Sequence, residues 1–183
     1  MQIEKQIVES VRKGKREGQD EMFRRYANQI FSMIVKQVPD VMDAQELTQD
    51  TFLKAFRYID RYDARQSSLS TWLCRIAYRL TLDFLKRRRP IVVSIEDSSV
   101  WQTDISDEEL EAALSTGNEQ RIEQLQELVQ QLPNEEQMLL TLYYFDDLPL
   151  KEIAYITGTD SKTLAVKLYR IRRKLYNSLT ANL

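Results

Sequence analysis

The stretch Leu150–Leu175, LKEIAYITGTDSKTLAVKLYRIRRKL, is the most informative part of this 183-residue chain for its C-terminal structure. It predicts a short helix over Leu150–Ile156, a tight turn around Gly158 and a second helix that Asp160 caps and that runs to about Leu179. Gly158 suits a turn that needs a positive φ, and Asp160 is a good N-cap residue. This order of elements predicts a helix-turn-helix.

The second helix of this motif has two distinct faces. Its apolar stripe, suited to packing, consists of Leu164, Leu168, Ile171 and Leu175. A polar and cationic stripe with the same spacing, displaced by about 100°, consists of Thr163, Lys167, Arg170 and Lys174. A recognition helix presents its first turns to base edges while Lys and Arg contact phosphates. The pattern therefore favours DNA binding over a packing helix with a solvated basic face.

Charge is distributed unevenly along the chain. Residues 1–90 carry 18 Lys and Arg against 12 Asp and Glu, and residues 150–183 carry seven against two. Residues 91–120 carry eight acidic residues and no basic one. Two basic ends indicate a polyanionic partner such as nucleic acid. The acidic, Ser-rich middle predicts a linker, with a short helix at Glu108–Leu114 and a weak apolar run at Ile91–Ile95.

The composition excludes several function classes. The chain has no His, and its one Cys, Cys74, cannot form an internal disulfide or a multi-thiolate zinc site. Its four glycines are scattered and form no phosphate-binding loop. No apolar run approaches the roughly 20 residues of a membrane span, and Met1–Gly18 lacks a signal-peptide core. We therefore expect a cytoplasmic protein with no cofactor and no metal site. An enzyme would have to work with carboxylates, Lys, Ser or Tyr alone, and because no carboxylate pair lies in an identifiable cleft-forming context we expect no catalytic residues.

Apolar periodicity also predicts helices in the rest of the chain. The N-terminal ones cover Met22–Gln37, Ala44–Ile59 with Asp43 as N-cap, and Thr71–Arg88. In the C-terminal part we expect helices at Arg121–Gln131 and Glu135–Phe145, the latter capped by Asn134 with Gln137 in a capping box. The expected fold is all-α, with two small helical domains joined by an acidic linker.

The N-terminal part carries a second basic surface. Aromatic and Arg residues alternate in FRYIDRYDAR, residues 56–65, before a polar loop, and Arg75, Arg79 and Lys86 lie along one side of the next helix. Such a surface suits single-stranded nucleic acid, because bases stack on aromatic rings while cations follow the backbone. Phe56 and Trp72 are expected to be core residues instead.

At this point the sequence resembles a known family. The stretches DAQELTQDTF (Asp43–Phe52) and STWLCRIAYRLTLDFLKR (Ser70–Arg87) are similar to regions 2.2 and 2.3–2.4 of sigma-70 family sigma factors. Leu132-Pro133, Glu152-Ile153-Ala154 and Gly158–Arg172 are similar to region 4. The three motifs follow the family order, and the resemblance, which covers about residues 20–90 and 120–178, is to the small extracytoplasmic-function group.

This resemblance implies a sigma factor that binds core RNA polymerase and directs it to promoters. It implies a region 2 domain (residues 1–90), a linker (91–119) and a region 4 domain (120–183). Core polymerase would contact Glu46, Gln49, Asp50 and Lys54. The −10 element would contact Tyr62, Arg65, Ser67, Ser68, Arg75, Tyr78, Arg79 and Lys86. The −35 element would contact Ser161, Lys162, Thr163, Lys167, Arg170 and Lys174.

The resemblance also implies an anti-sigma partner, commonly membrane-spanning, although the chain itself would not insert into a membrane. Ala165 and Val166 replace the Lys-Ser that is common in the recognition helix, so the promoter sequence does not carry over from relatives. The main alternative is a stand-alone helix-turn-helix regulator, which leaves Asp43–Phe52 and Thr71–Arg87 without a role. A second alternative is an RNA-binding adaptor.

Overall fold

The computed structural model describes residues 2–88 and 119–181, and all regular structure in them is helical, which confirms the predicted all-α class. The N-terminal unit consists of α1 (Gln2–Arg12), α2 (Arg16–Val35), α3 (Val41–Arg57), a 3-10 turn (Ile59–Arg61) and α4 (Leu69–Arg88). The C-terminal unit consists of α5 (Glu119–Gln130), α6 (Asn134–Leu140), a π-helical turn (Thr141–Phe145), α7 (Leu150–Thr157) and α8 (Ser161–Ala181). The predicted linker lies outside the described residues except for Glu119, as do the expected elements Ile91–Ile95 and Glu108–Leu114.

The first helix, α1, is not among the predicted elements. Its Ile7, Val8 and Val11 are buried, and they pack on α2. At the crossing of the two helices a Cβ on Gly18 would lie 2.6 Å from the Cβ and Oγ of Ser10. Glycine at this position therefore allows the close approach that buries α1. The N-terminal core below it is formed by Met22, Ile30, Met33, Ile34, Phe52, Leu69 and Leu73.

The start of α3 differs from the prediction. Asp40, not Asp43, is the N-cap, and its Oδ1 accepts hydrogen bonds from the backbone N of Met42 (2.9 Å) and Asp43 (3.0 Å). Asp43 lies inside the first turn, where its carboxylate pairs with Arg88 at the end of α4. The prediction missed the cap because it began the helix where the apolar stripe begins, at Ala44. Val41 and Met42 lie outside that stripe but belong to the first turn of the helix.

The helix-turn-helix forms as predicted. Gly158 ends α7 with φ +79°, and Asp160 Oδ1 accepts a hydrogen bond of 2.9 Å from the backbone N of Thr163. The capping box expected at Asn134 is wrong, because α6 begins at Asn134 after Pro133 and has no side-chain cap. The Gln137 side chain instead donates to the carbonyl oxygens of Leu132 (2.7 Å) and Gln130 (3.1 Å).

The two units contact each other, mainly where α4 packs against α6 and α7. Thr71 Oγ1 donates to Glu152 Oε2 at 2.8 Å, and the Arg75 guanidinium lies 4.8 Å from the centroid of the Tyr155 ring. A second set of contacts joins the end of α2 to the π-helical turn, with Gln37 Nε2 2.6 Å from Thr141 Oγ1. Part of the expected −10 surface on α4 therefore meets the C-terminal unit rather than open solvent.

Candidate nucleic-acid and polymerase interfaces

The outer face of α3 carries the four residues expected to contact core polymerase. Glu46, Gln49, Asp50 and Lys54 are all exposed, and their spacing places them on one side of the helix. The structure adds two apolar residues to this face, Met42 (74% exposed) and Leu53 (63% exposed). Sequence analysis missed them, although their offsets of four residues before Glu46 and four after Gln49 place them on the same stripe. We call these six residues the α3 face.

The loop between α3 and α4 is held down by its own side chains. Tyr62 is only 7% exposed, its ring packs on Trp72 with centroids 5.5 Å apart, and its hydroxyl donates to the Ser67 carbonyl at 3.2 Å. The Arg12 guanidinium donates to the Tyr62 carbonyl at 2.9 Å. In this arrangement Tyr62 packs as a core residue, and its expected contact with the −10 element stays a prediction.

The polar residues of the same loop have local partners. Arg65 is exposed and forms a bidentate pair with Asp63, and these hydrogen bonds lower the pKa of Asp63 to about 2. Ser68 Oγ accepts a hydrogen bond of 3.1 Å from the backbone N of Thr71 and thereby caps α4. Ser68 therefore supports the helix start, whereas the Arg65 guanidinium at the loop tip is accessible to a phosphate.

The expected −10 contacts on α4 differ in exposure. Arg79 and Lys86 are exposed, and Lys86 Nζ donates to Glu135 Oε1 of α6 at 3.2 Å. Tyr78 is 8% exposed, and burial raises the pKa of its hydroxyl to about 12. Arg75 is half-buried over Tyr155. Of these four side chains, Arg79 and Lys86 are therefore accessible to a ligand, and Lys86 would exchange its ion pair with Glu135 for that contact.

The lone thiol lies in the same contact. Cys74 is buried where α4 faces the C-terminal unit, and burial, with the charges of Asp146 and Glu152, raises its pKa to about 12. A thiol with this pKa is almost entirely protonated at neutral pH, so it is a poor nucleophile. Its role in the structure is packing.

The exposed half of α8 carries the expected −35 contacts. Lys162, Thr163, Lys167 and Arg170 are exposed over the first three turns, Ser161 is half-buried, and Lys174 is exposed further along. The Thr163 side chain is held by Asp160, with 2.6 Å between Thr163 Oγ1 and Asp160 Oδ2. Leu164, Leu168, Ile171 and Leu175 are buried, which confirms the predicted packing stripe.

A groove of about 800 Å³ separates α4 from the C-terminal unit. Tyr78, Leu82 and Lys86 line it on one side, and Leu132, Leu164 and Lys167 line it on the other. Lys86 and Lys167 are expected to contact different promoter elements, so the groove brings parts of both expected DNA surfaces to one place.

Among the described residues, none of the helices is long and apolar enough to cross a membrane.

The exposed recognition helix and the cationic surface of α4 define a DNA-binding protein of the helix-turn-helix class. Comparison with known families identifies it further: models of sigma-70 region 2 and sigma-70 region 4 match residues 22–91 and 122–175. The chain belongs to the sigma-70 family of RNA polymerase sigma factors, in the extracytoplasmic-function group, and it directs promoter-specific transcription.

Similar proteins cover nearly the whole chain. The RNA polymerase sigma-H factor of Pseudomonas aeruginosa is 29% identical over 181 residues, which cover 96% of this chain and 93% of that protein. The extracytoplasmic-function sigma factor SigW of Bacillus subtilis is 26% identical over 98% of this chain and 97% of that protein. The match therefore includes both units and the segment between them.

Two solved structures share the fold. CnrH, in complex with the cytosolic domain of CnrY, superposes with a TM-score of 0.65 at 18% identity and covers 98% of this chain and 99% of that chain. The sigma factor RpoE of Bartonella quintana, in complex with the anti-sigma factor NepR, gives a TM-score of 0.58 at 17% identity. The match covers 90% of this chain and 98% of that chain. At these identities the likeness concerns the fold alone.

Proposed function

We propose that the chain recognises the −35 element with α8 and the −10 element with the α3–α4 loop and α4, in a complex with core RNA polymerase. The observation that carries this proposal is the exposed first half of α8. Its Lys162, Thr163, Lys167 and Arg170 follow a Gly turn and an Asp cap, so the helix start can enter a major groove. The division into residues 1–90, 91–119 and 120–183 is part of this proposal.

Core polymerase binds the α3 face in this proposal. Protein interfaces place apolar side chains beside polar and charged ones, and exposed apolar side chains grouped on one face indicate a docking surface. Met42 and Leu53 lie beside Glu46 and Asp50 on this face, all four exposed to solvent. The acidic residues orient the chain on a basic partner and speed association with it. The apolar residues stabilise the complex because their exposed surface is buried on binding.

Recognition of the −10 element requires the two units to separate. Arg75 and Lys86 have partners on α6 and α7, and Tyr78 is buried beside them. Their contacts are polar and partly exposed, and exposed ion pairs contribute only about 0–1 kcal/mol each. A DNA backbone can therefore compete for these cations once polymerase holds the units apart.

The remaining elements of the proposal concern partners and location. CnrH was solved with the cytosolic domain of CnrY, and the Bartonella RpoE was solved with the anti-sigma factor NepR. We propose that this chain is likewise held by an anti-sigma factor, one that is commonly membrane-spanning. The chain itself acts in the cytoplasm as a non-enzymatic subunit.

Reconstitution tests this function. The purified chain is mixed with bacterial core RNA polymerase and fragmented genomic DNA, and complex formation and transcript start sites are measured. We expect a stable complex, defined start sites, and loss of both in the Glu46→Lys/Asp50→Lys variant. The matched control is Glu9→Lys/Glu17→Lys, which makes the same charge change at exposed positions of α1 and α2.

A second candidate is the stand-alone helix-turn-helix regulator, since α8 alone accounts for duplex binding. It would bind duplex DNA without core polymerase and give no defined start sites. That result, with the α3 double variant behaving like its control, would replace the sigma-factor mechanism proposed for these surfaces.

A further inference from the structure

One exposed residue of α8 does not fit either of its two stripes. Val166 is 49% exposed, and it lies between Lys162 and Arg170, one turn away on each side. The buried face of the helix is formed by Leu164, Leu168, Ile171 and Leu175. At 100° per residue Val166 points away from that face. Packing within the chain therefore does not explain an apolar side chain at this position.

Intrinsic helix preference does not explain Val166 either. β-branched residues lose side-chain freedom in a helix, and an exposed position gives no packing energy in return. A single exposed apolar side chain is common on protein surfaces and by itself carries no meaning. The position of Val166 is different, because the exposed Lys162, Thr163, Lys167 and Arg170 surround it on the part of α8 that faces a DNA groove in the proposed function.

The major groove offers one apolar group to such a side chain. Among the four bases only thymine carries a C5-methyl group at the groove surface, and apolar side chains contact it. Cytosine has no such methyl group and presents an N4 amino group in the major groove instead. An apolar side chain cannot accept a hydrogen bond from that amino group, so burying it there is unfavourable. The flanking cations meanwhile reach phosphates and fix the register of the helix on the duplex.

We propose that Val166 determines specificity in the −35 element by contacting the C5-methyl group of one thymine. This inference rests on the proposed recognition of the −35 element by α8. It assigns a base preference to an exposed apolar position on this helix.

The experiment first removes the C5-methyl group of each thymine from the DNA and then replaces the Val166 side chain in the protein. The holoenzyme is assembled with core polymerase, and −35 duplexes are taken from upstream of the mapped start sites. Each thymine is replaced singly by deoxyuridine, which lacks only the C5-methyl group, and affinity is measured at fixed salt. For the wild-type chain we expect one position where this replacement weakens binding roughly fourfold, the value of one buried methyl-sized group.

Two variants complete the cycle. Val166→Ser should bind the unmodified duplex several-fold more weakly and should no longer distinguish thymine from deoxyuridine at that position. Val166→Thr keeps one methyl group and the branched shape, so it should retain most of the discrimination. Both substitutions are at an exposed site, and unchanged thermal unfolding will show that the helix is intact.

The outcomes separate this inference from the function beneath it. Specific duplex binding with the same deoxyuridine profile in wild type and Val166→Ser would overturn the assignment to Val166 and leave recognition by α8 standing. Absence of any specific −35 binding by the wild-type holoenzyme would overturn both.

Discussion

The guanidinium of Arg75 lies over the ring of Tyr155, 4.8 Å from its centroid, and joins α4 of one unit to α7 of the other. Arg75 is also an expected contact of the −10 element, so the same side chain cannot serve both partners at once. We expect Tyr155→Ala, which leaves every residue of α4 in place, to increase binding of a −10 single strand to the free chain about two- to fivefold. A partly exposed cation–π pair of 0.5–1 kcal/mol corresponds to that factor.

Fluorescence anisotropy of a labelled strand measures this change, and energy transfer between dyes on the two units reports their separation. Lys151→Ala, at an exposed position of the same helix, is the control and should leave both signals as in wild type. Equal affinities for wild type and Tyr155→Ala would show that Arg75 is not withheld from DNA by this contact.

The apolar members of the α3 face predict a loss of polymerase affinity without a loss of stability. Leu53 is 63% exposed, so Leu53→Ser removes little packing within the chain. Interface residues that matter cost more than about 1 kcal/mol when truncated, which is at least a fivefold loss of affinity. A titration of core polymerase measures the loss, and the exposed Ile3→Ser in α1 is the control. Wild-type affinity for Leu53→Ser would remove this residue from the docking surface.

The crossing of α1 and α2 predicts a large effect of a small substitution. In Gly18→Ala the new Cβ would lie 2.6 Å from Ser10 Cβ and 2.9 Å from the backbone N of Val11. Overpacking of this kind costs typically about 1–3 kcal/mol, so urea unfolding should show a loss in that range. Ser10→Gly should recover part of the loss and not all of it, because the backbone contact remains. Full recovery, or no loss at all, would contradict the close crossing.

The second residue after the π-helical turn, Asp147, predicts a gain in stability when glycine replaces it. Asp147 has φ +49°, and it is the one non-glycine residue with a positive φ among the described residues. A left-handed conformation is strained for most residues with a Cβ, and glycine is free of that strain. We expect Asp147→Gly to raise the free energy of unfolding by about 0.5–1 kcal/mol and Asp147→Val to lower it. Thermal unfolding measures both, and a lower midpoint for the glycine variant would contradict the strain.

Glu136 on α6 predicts a pH-dependent effect. Burial raises the pKa of its carboxyl, while Lys174 and Lys167 of α8 act in the opposite direction. A raised pKa means that the folded state disfavours the ionised form, so this residue lowers stability at neutral pH. The cost disappears as pH falls below the unfolded-state value of 4.5. Glu136→Gln should therefore stabilise the chain at pH 7 and give less gain at acid pH, relative to the exposed control Glu127→Gln. A gain independent of pH would contradict this.

Local patterns predicted the parts of this fold that depend on local chemistry. Gly158, Asp160 and the stripe from Leu164 to Leu175 are where the sequence places them, because a turn, a cap and a helical repeat are properties of neighbouring residues. Asp40 shows the limit of such reasoning, since either of two nearby aspartates can cap a helix. In the structure Asp40 is the cap and Asp43 pairs with Arg88 of α4, a contact across 45 residues that no local pattern encodes.

Contacts between helices that are distant in the sequence could not be predicted from local patterns. As an aromatic residue among arginines, Tyr62 was expected to stack on a base. Its burial against Trp72 depends on how α4 packs beside the loop, which the sequence does not show. The pairing of Thr71 with Glu152 spans 81 residues, and no periodicity encodes it. Exposure of Leu53, by contrast, could have been predicted, because the residue lies four after Gln49 on the polar stripe of α3.

The contact between the two units also determines how the chain responds to dilution. Thirty residues, 89–118, join Arg88 to Glu119, so closure is an intramolecular event governed by an effective concentration rather than by the amount of protein. If the units separate as proposed, the ratio of closed to open chains is therefore the same at nanomolar and micromolar protein concentrations. Ionic strength acts on it instead, since Lys86–Glu135 and Lys36–Asp146 are ion pairs that salt screens. If α4 contacts DNA phosphates as proposed, rising salt weakens both this closure and those contacts. The affinity for DNA then falls less with salt than it would if the phosphate contacts alone were screened.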